Sequence, residues 1–324
     1  MSSVLVLSQR EVEELLDLPG CIEAMSEALI ALARGELHQP LRFVVRPPGE
    51  ESLLGLMPSH RGGGGPLYAL KTVCVFPGNP ARGLDAHQGT VTLYDGETGE
   101  LRAALNASAV TAIRTAACSA LATRTLARAD ARELAIVGAG VQARSHLEAL
   151  TLVRHFERIR ITSRTAAHAR GLADGWPGAE AVETVEQAVR GADVVVTATN
   201  SPNPVLRREW LKEGAHVNAV GACLPHTREL DSDTVSAAAF FVDSRESAEN
   251  EAGDYLLARS EGAIGPEHIA AELGEVLAGT HPGRTDDATI TVFESLGIAV
   301  EDLYAAEYVV RRACEADRGT EVEF

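Results

Sequence analysis

The turn Gly138-Ala-Gly-Val-Gln-Ala143 constrains the fold of this chain more than any other stretch. The apolar run at residues 134–137 predicts a buried parallel strand before the turn, and the residues after it show helical spacing. Gly138 permits a sharp strand-to-helix corner, and Gly140 lets the backbone come close to a pyrophosphate. The free N–H groups at the helix start, around Val141 and Gln142, then face the phosphates. The turn therefore predicts a dinucleotide site, with a nicotinamide preferred to a flavin because no second flavin signature is visible.

Strands and helices alternate after this turn in the way that a doubly wound sheet requires. The predicted strands are 158–162, 179–183, 193–198, 216–220 and 239–242, and the predicted helices are 166–172 and 185–189. Together with the strand before the glycine turn, these segments predict six strands of a Rossmann domain. The fold class is therefore α/β, with a doubly wound parallel sheet.

The end of the second strand distinguishes the two nicotinamide dinucleotides. Sites that prefer NAD place an Asp or Glu here, because a carboxylate bonds the ribose 2′-hydroxyl. This sequence has Ser163-Arg164-Thr165 instead. Arg164 can pair with a 2′-phosphate, and the hydroxyls of Ser163 and Thr165 can donate to it. The pattern favours NADPH, with NADH as the other candidate and an ordinary solvated Arg164 as the alternative interpretation.

The composition limits the remaining classes of function. A chain of 324 residues with 45% hydrophobic residues can bury two cores, and its length suggests two domains. A formal charge of −17 argues against nucleic acid and anionic membrane surfaces as partners. The five cysteines form no CxxC pair, so they predict neither a metal site nor a disulfide framework. With no signal peptide and no apolar run of about 20 residues, a reduced cytoplasmic protein is expected.

Residues 1–118 have a different pattern from the Rossmann segment. Helices are predicted near residues 9–16 and 22–34, and strands at 41–46, 52–57, 68–76, 89–94 and 101–105. This order predicts a second, α+β domain built on an antiparallel or mixed sheet.

Lysine is rare in this chain, so the position of each lysine is informative. Of the 29 basic residues only Lys71 and Lys212 are lysines. Lys71 lies in an apolar strand-like run, where an unpaired charge is costly, and is the better candidate for chemistry. Arg42 and Arg114 are candidates for a bidentate contact with a carboxylate, so the three cations suggest a small acid substrate. For each arginine, an ordinary surface ion pair is the alternative.

Motifs along nearly the whole chain resemble the ornithine cyclodeaminase/μ-crystallin family. Eight matches occur in the family's order: Gln39-Pro-Leu-Arg42, Leu56-Met-Pro58, Ala69-Leu-Lys71, Thr111-x-x-Arg114-Thr-Ala-Ala117, Gly138-Ala-Gly-Val-Gln142, Asn218-Ala-Val-Gly221, Glu272-Leu-Gly-Glu-Val276, and Thr291-Val-Phe-Glu-Ser-Leu-Gly297 with Val300-Glu-Asp302. The resemblance implies a homodimer with a substrate-binding and dimerisation domain at 1–118 and 295–324, and a Rossmann domain at 119–294. It also implies that Arg42, Lys71 and Arg114 hold the substrate carboxylate. The cofactor residues implied by the same resemblance are Thr115, Thr197, Thr199, Val220 and Ser295.

Two positions separate this chain from the cyclodeaminases of that family. Those enzymes carry a Glu before the Leu-Met-Pro motif and an Asp two residues after Val-Gly, where this sequence has Gly55 and Cys223. The two replacements look like the μ-crystallin branch, whose members reduce cyclic ketimines with NADPH, and Cys223 is expected to line the substrate pocket. The resemblance thus implies reduction of pyrroline-2-carboxylate or piperideine-2-carboxylate to proline or pipecolate. An alanine dehydrogenase, a true ornithine cyclodeaminase, and a protein that only binds NADPH and a small ligand stay open as alternatives.

Overall fold

The computed structural model describes residues 3–324. Contacts within the chain divide it into two compact units. The first unit comprises the chain up to Arg114 and Ile298–Phe324, and the second comprises Thr115–Gly297. These limits lie a few residues from the domain limits expected from the sequence. The roles of the two domains stay predictions.

The helices and strands follow one another in a simple chain order. The N-terminal part contains β1 (Ser3–Leu7), α1 (Gln9–Leu15), α2 (Leu18–Ala33), β2 (Leu37–His38), β3 (Phe43–Val45), β4 (Leu53–Arg61), β5 (Leu67–Val75), β6 (His87–Asp95), β7 (Leu101–Asn106) and α3 (Ala107–Leu126). Then come β8 (Glu133–Val137), α4 (Val141–Val153), β9 (Arg158–Thr162), α5 (Ala166–Asp174), β10 (Ala179–Ala181), α6 (Val185–Val189), β11 (Val194–Thr197) and β12 (His216–Ala219). The chain continues with α7 (Ser232–Ala237), β13 (Ala238–Val242), α8 (Arg245–Glu251), α9 (Gly253–Ser260), β14 (Ile269–Glu272), α10 (Leu273–Leu277), β15 (Ile290–Glu294), α11 (Ala299–Ala316) and β16 (Thr320–Glu323).

The first unit is built on a mixed sheet in the order β16-β1-β7-β6-β5-β4-β2, with β3 also paired to β4. Only the β1–β7 pair is parallel among the described strands of this sheet. Residues alternate between its two faces, and β5 buries Ala69, Lys71 and Val73 on the same face. Helix α11 packs against β4, β5 and β6, and its first turn is buried. A charged residue of β5 is thereby enclosed beneath a helix.

The second unit confirms the predicted α/β class. Its sheet is parallel throughout, in the order β10-β9-β8-β11-β12-β15-β13-β14. The expectation of six strands was wrong, because the described residues 115–297 form eight, and β14 and β15 had not been predicted. Strand β15 lies between β12 and β13, so the strand expected to be sixth does not neighbour the fifth. Side chains of both sheet faces are buried, which explains the continuous apolar runs of β8 and β11.

Within residues 3–324, no helix combines the length and the apolar character needed to cross a bilayer.

Candidate active site

Lys71 is a buried cation in the first unit, with a side chain that is only 3% exposed. Its Nζ lies 2.7 Å from Oδ2 of Asp302, in the first turn of α11. Burial is the largest influence on Lys71 and, helped by Arg114 and Arg42, outweighs Asp302 and lowers the pKa of Lys71 to about 8. The ammonium therefore predominates at pH 7, but its proton is available close to neutrality.

Arg114 lies in α3 and is held by two carboxylates of α11. Its Nη1 is 2.8 Å from Oε2 of Glu301, and its Nε is 3.0 Å from Oδ1 of Asp302. Burial alone would raise the pKa of Asp302, but Arg114 and Lys71 outweigh it and hold that pKa below its usual value. Two buried cations are thus matched by two buried carboxylates. Sequence reasoning quoted Glu301 and Asp302 within a family motif but gave neither a role.

Arg42 and His87 complete the charged neighbourhood of Lys71. Arg42 is half-buried immediately before β3, and its charge contributes to the lowered pKa of Lys71. His87 begins β6 and is exposed, yet desolvation of its ring, then Lys71 and Arg114, lower the pKa of the imidazole. The lowered pKa disfavours the charged form of His87 that could donate a proton. The three predicted substrate cations belong to one unit, and the charges of Arg114 and Arg42 both lower the pKa of Lys71.

The glycine turn of the second unit has the geometry that a dinucleotide needs. Gly138 has a φ of +128°, and a Cβ there would lie 2.4 Å from the carbonyl oxygen of Ala198. At Gly140 an added Cβ would meet no atom within 4 Å, so the backbone is open on that side. Gly140 caps α4 with no side-chain hydrogen bond to the first-turn N–H groups, and Val141 is 60% exposed although it is apolar. Open N–H groups at the start of a helix fit a pyrophosphate.

The end of β9 carries the three residues expected to select the cofactor. Ser163 Oγ donates a hydrogen bond to the carbonyl of Thr165 at 2.8 Å, while Arg164 and Thr165 are exposed. This hydrogen bond lies within the turn itself, and the side chain of Arg164 is exposed to solvent. No carboxylate occupies positions 163–165.

The other candidate cofactor residues lie where parallel strands end. Because all strands of this sheet run in the same direction, their carboxyl ends share one edge, which is where such sheets bind ligands. Thr115 is buried within α3. The remaining candidates follow or end β11, β12 and β15: Thr197, Thr199, Val220, Ser295 and Cys223. The Sγ of Cys223 is 3.2 Å from the carbonyl oxygen of Val220 and 3.8 Å from that of Ser295, so this side chain joins two strand ends.

Buried carboxylates, which sequence reasoning missed, organise the same edge. Glu229 accepts hydrogen bonds from the N–H groups of Thr199 and Gly221, at 2.6 and 2.7 Å. Asp243 accepts from the N–H groups of Leu296 and Gly297, at 2.8 and 2.7 Å. Burial raises the pKa of Glu229, and it also raises that of nearby Glu294 well above its usual value, with neighbouring carboxylates adding to the effect on Glu294. Of these carboxylates, Glu294 could have been noticed in the sequence, because it ends an otherwise largely apolar strand.

Comparisons with known proteins agree with this architecture. The family model described as the ornithine cyclodeaminase/mu-crystallin family matches residues 2–317. The ketimine reductase mu-crystallin of Mus musculus is 42% identical over 276 residues, which is 85% of each chain. The alanine dehydrogenase of Archaeoglobus fulgidus is 35% identical over 324 residues, covering 99% of this chain and 98% of its own. The structure of Thermococcus litoralis Δ1-pyrroline-2-carboxylate reductase in complex with NADH and L-proline has a TM-score of 0.94 and 35% identity, covering 98% of this chain and 100% of that one.

The glycine turn together with these relatives identifies the chain as a nicotinamide-dependent oxidoreductase. The chain belongs to the ornithine cyclodeaminase/mu-crystallin family.

Proposed function

We propose that this protein reduces a small cyclic imine carboxylate, pyrroline-2-carboxylate or piperideine-2-carboxylate, to proline or pipecolate with NADPH. The observation that carries the proposal is the buried Lys71, whose pKa of about 8 lies near the working pH, beside the guanidinium of Arg114. Relatives named ketimine reductase and Δ1-pyrroline-2-carboxylate reductase support the same reaction class.

The reaction converts a C=N bond to CH–NH and therefore needs a hydride at carbon and a proton at nitrogen. A reduced nicotinamide held at the glycine turn by Gly138 and Gly140 would supply the hydride. In our proposal Lys71 gives the proton from Nζ, and its positive charge favours electron flow toward the imine nitrogen. Arg42 and Arg114 orient the substrate carboxylate. The near-neutral pKa of Lys71 supports this role because an ordinary lysine would release its proton less readily.

Position 55 argues against ornithine cyclodeamination. Gly55 lies in β4, paired with Val73 and Val44, and the nearest atom to a Cβ built there is a methyl carbon of Val73 at 3.4 Å. No carboxylate is present at this position to activate water for hydrolysis. At position 223 a thiol bonded to backbone carbonyls replaces the second carboxylate.

Initial rates with alternative substrates test the proposal. NADPH oxidation should be faster with one of the two cyclic imines than with pyruvate plus ammonia, the substrates of an alanine dehydrogenase. A higher kcat/KM with pyruvate and ammonia would replace our assignment by that second activity. No oxidation with any of them, together with no ammonia release from L-ornithine and NAD, would favour a binding protein.

Arg164→Ala should distinguish the two cofactors. We expect it to weaken NADPH binding about 10- to 100-fold and to leave NADH binding within about twofold, because only NADPH carries the 2′-phosphate. Fluorescence titration with both cofactors measures this. Arg170→Ala, which removes an exposed arginine within α5, is the matched control. Equal losses for NADPH and NADH in Arg164→Ala would refute the phosphate contact.

The homodimer implied by the family also stays a proposal. Strand β3 exposes Phe43 by 63% and Val45 by 43%, and such exposed apolar side chains support a contact with another chain. The mass in solution tests this, and a monomer at micromolar concentration would contradict it.

A further inference from the structure

Asp302 joins the two buried cations of the first unit through different oxygens. Its Oδ2 lies 2.7 Å from Nζ of Lys71, and its Oδ1 lies 3.0 Å from Nε of Arg114. The side chains of Lys71 and Arg114 are each 3% exposed, and that of Asp302 is 1% exposed. Water therefore screens these contacts weakly, and the carboxylate of Asp302 attracts the Lys71 ammonium strongly.

Glu301, the adjacent carboxylate of α11, makes different contacts from Asp302. Glu301 contacts Arg114 at 2.8 Å and accepts a longer bond from the N–H of Ile298 at 3.4 Å. It is as deeply buried as Asp302 and lies in the same helical turn. The chain thus offers two neighbouring carboxylates, of which Asp302 contacts both cations and Glu301 is bonded to Arg114.

The described charged and titratable groups around Lys71 come from several elements. They are Asp302 and Glu301 of α11, Arg114 of α3, Arg42 before β3, and His87 of β6. Burial and the two arginines disfavour the Lys71 ammonium, whereas Asp302 favours it. Asp302 is itself kept ionised by Arg114 and Lys71, in spite of its burial.

We propose that Asp302 is a positioning residue, which aims the Lys71 ammonium and keeps it charged for proton transfer. The inference rests on the proposed imine reduction. In that reaction the imine carbon gains a hydride from the reduced dinucleotide, and the imine nitrogen gains a proton from Lys71 Nζ. Lys71 is left as a neutral amine beside ionised Asp302, and it regains a proton from water. Asp302 never contacts the reacting atoms in this account and acts through Lys71.

The small number of lysines permits a test that does not depend on turnover. Protein labelled with ¹³C at lysine Cε should give signals only from Lys71 and Lys212, and Lys212→Arg assigns them. In the unaltered protein the Lys71 signal should titrate with a midpoint near 8, the value that burial and its neighbours give to the pKa. A midpoint below 7 would overturn the proposal without any variant, because a buried lysine that no anion supports loses its proton at such values.

Two matched variants then separate positioning from simple structural support. Asp302→Asn should move the Lys71 midpoint down by at least about one unit, which is a tenfold change in the proton equilibrium. The alkaline limb of the pH profile of kcat for Asp302→Asn should also move to lower pH. The loss of activity in this variant is then larger at pH 8 than at pH 6. Glu301→Gln should change KM for the imine carboxylate through Arg114 and leave the midpoint nearly in place.

An unmoved Lys71 midpoint in Asp302→Asn overturns the positioning role, even if kcat falls equally at every pH. A shifted midpoint in a protein that reduces no imine would leave the contact standing and reject the proposed reaction. The two failures are therefore distinguishable.

Discussion

Replacing Lys71 by methionine is expected to lower kcat for imine reduction about 10²- to 10⁴-fold, the usual contribution of a positioned general acid. Methionine fills a similar volume in the buried face of β5 but has neither charge nor proton. In this variant Asp302 loses Lys71 but keeps its contact with Arg114, so the buried carboxylate still has a cationic partner. Steady-state NADPH oxidation measures kcat, and unchanged NADPH affinity shows that the second unit is intact.

Lys71→Arg separates the charge of Lys71 from its proton chemistry. Arginine keeps a cation for Asp302 and for the substrate carboxylate, but it does not release a proton in the neutral range. We expect kcat to stay low while KM changes by less than about tenfold. Turnover equal to that of the unaltered protein would remove Lys71 from the proton-transfer step.

Alanine at Gly140 is expected to raise the Kd for NADPH about 100-fold with little effect on folding. A Cβ at this position meets no protein atom within 4 Å, and φ is −88°, which other residues adopt readily. Alanine is a poorer N-cap than glycine, so the free energy of unfolding should fall by no more than about 1 kcal/mol. The added methyl would instead project into the space assigned to the pyrophosphate.

Gly138→Ala provides the contrasting control within the same turn. At Gly138 the backbone has a φ of +128°, and the Cβ would lie 2.4 Å from the carbonyl oxygen of Ala198. This variant should lose at least about 3 kcal/mol of the free energy of unfolding, because strain and overlap add. Chemical denaturation and NADPH titration measure the pair. Tight NADPH binding by stable Gly140→Ala would mean that the cofactor does not approach this turn.

Local patterns were enough to predict much of the second unit. The strand Arg158–Thr162 and the helix Val185–Val189 have the bounds expected from the sequence, because short apolar or capped segments are bordered by polar residues. The glycine turn was equally readable, since its spacing reflects local backbone geometry. Strand β15 was missed, although its residues lie in a family motif. Its insertion between β12 and β13 depends on pairings with segments that are distant along the chain.

Sequence reasoning singled out Lys71 and Arg114 of this charged cluster and gave no role to its anions, Glu301 and Asp302. Lys71 attracted attention because a charge inside an apolar strand is costly, but its partner Asp302 lies 231 residues further along the chain. Arg114 and Glu301 are separated by 187 residues. In α11 the charged residues Glu301 and Asp302 stand among apolar residues with helical spacing. This pattern indicates buried charges, but it does not show which cations they contact. Only the folded first unit shows that these four charges balance one another.

The stoichiometry of imine reduction is a direct test of the proposed reaction. Purified protein is mixed with limiting NADPH and excess pyrroline-2-carboxylate or piperideine-2-carboxylate, and the cofactor absorbance and the amino acid formed are followed together. We expect one proline or pipecolate for each NADPH oxidised. The contradicting result would be no NADPH oxidation with either imine, accompanied by ammonia release from L-ornithine in the presence of NAD and no net change in the cofactor.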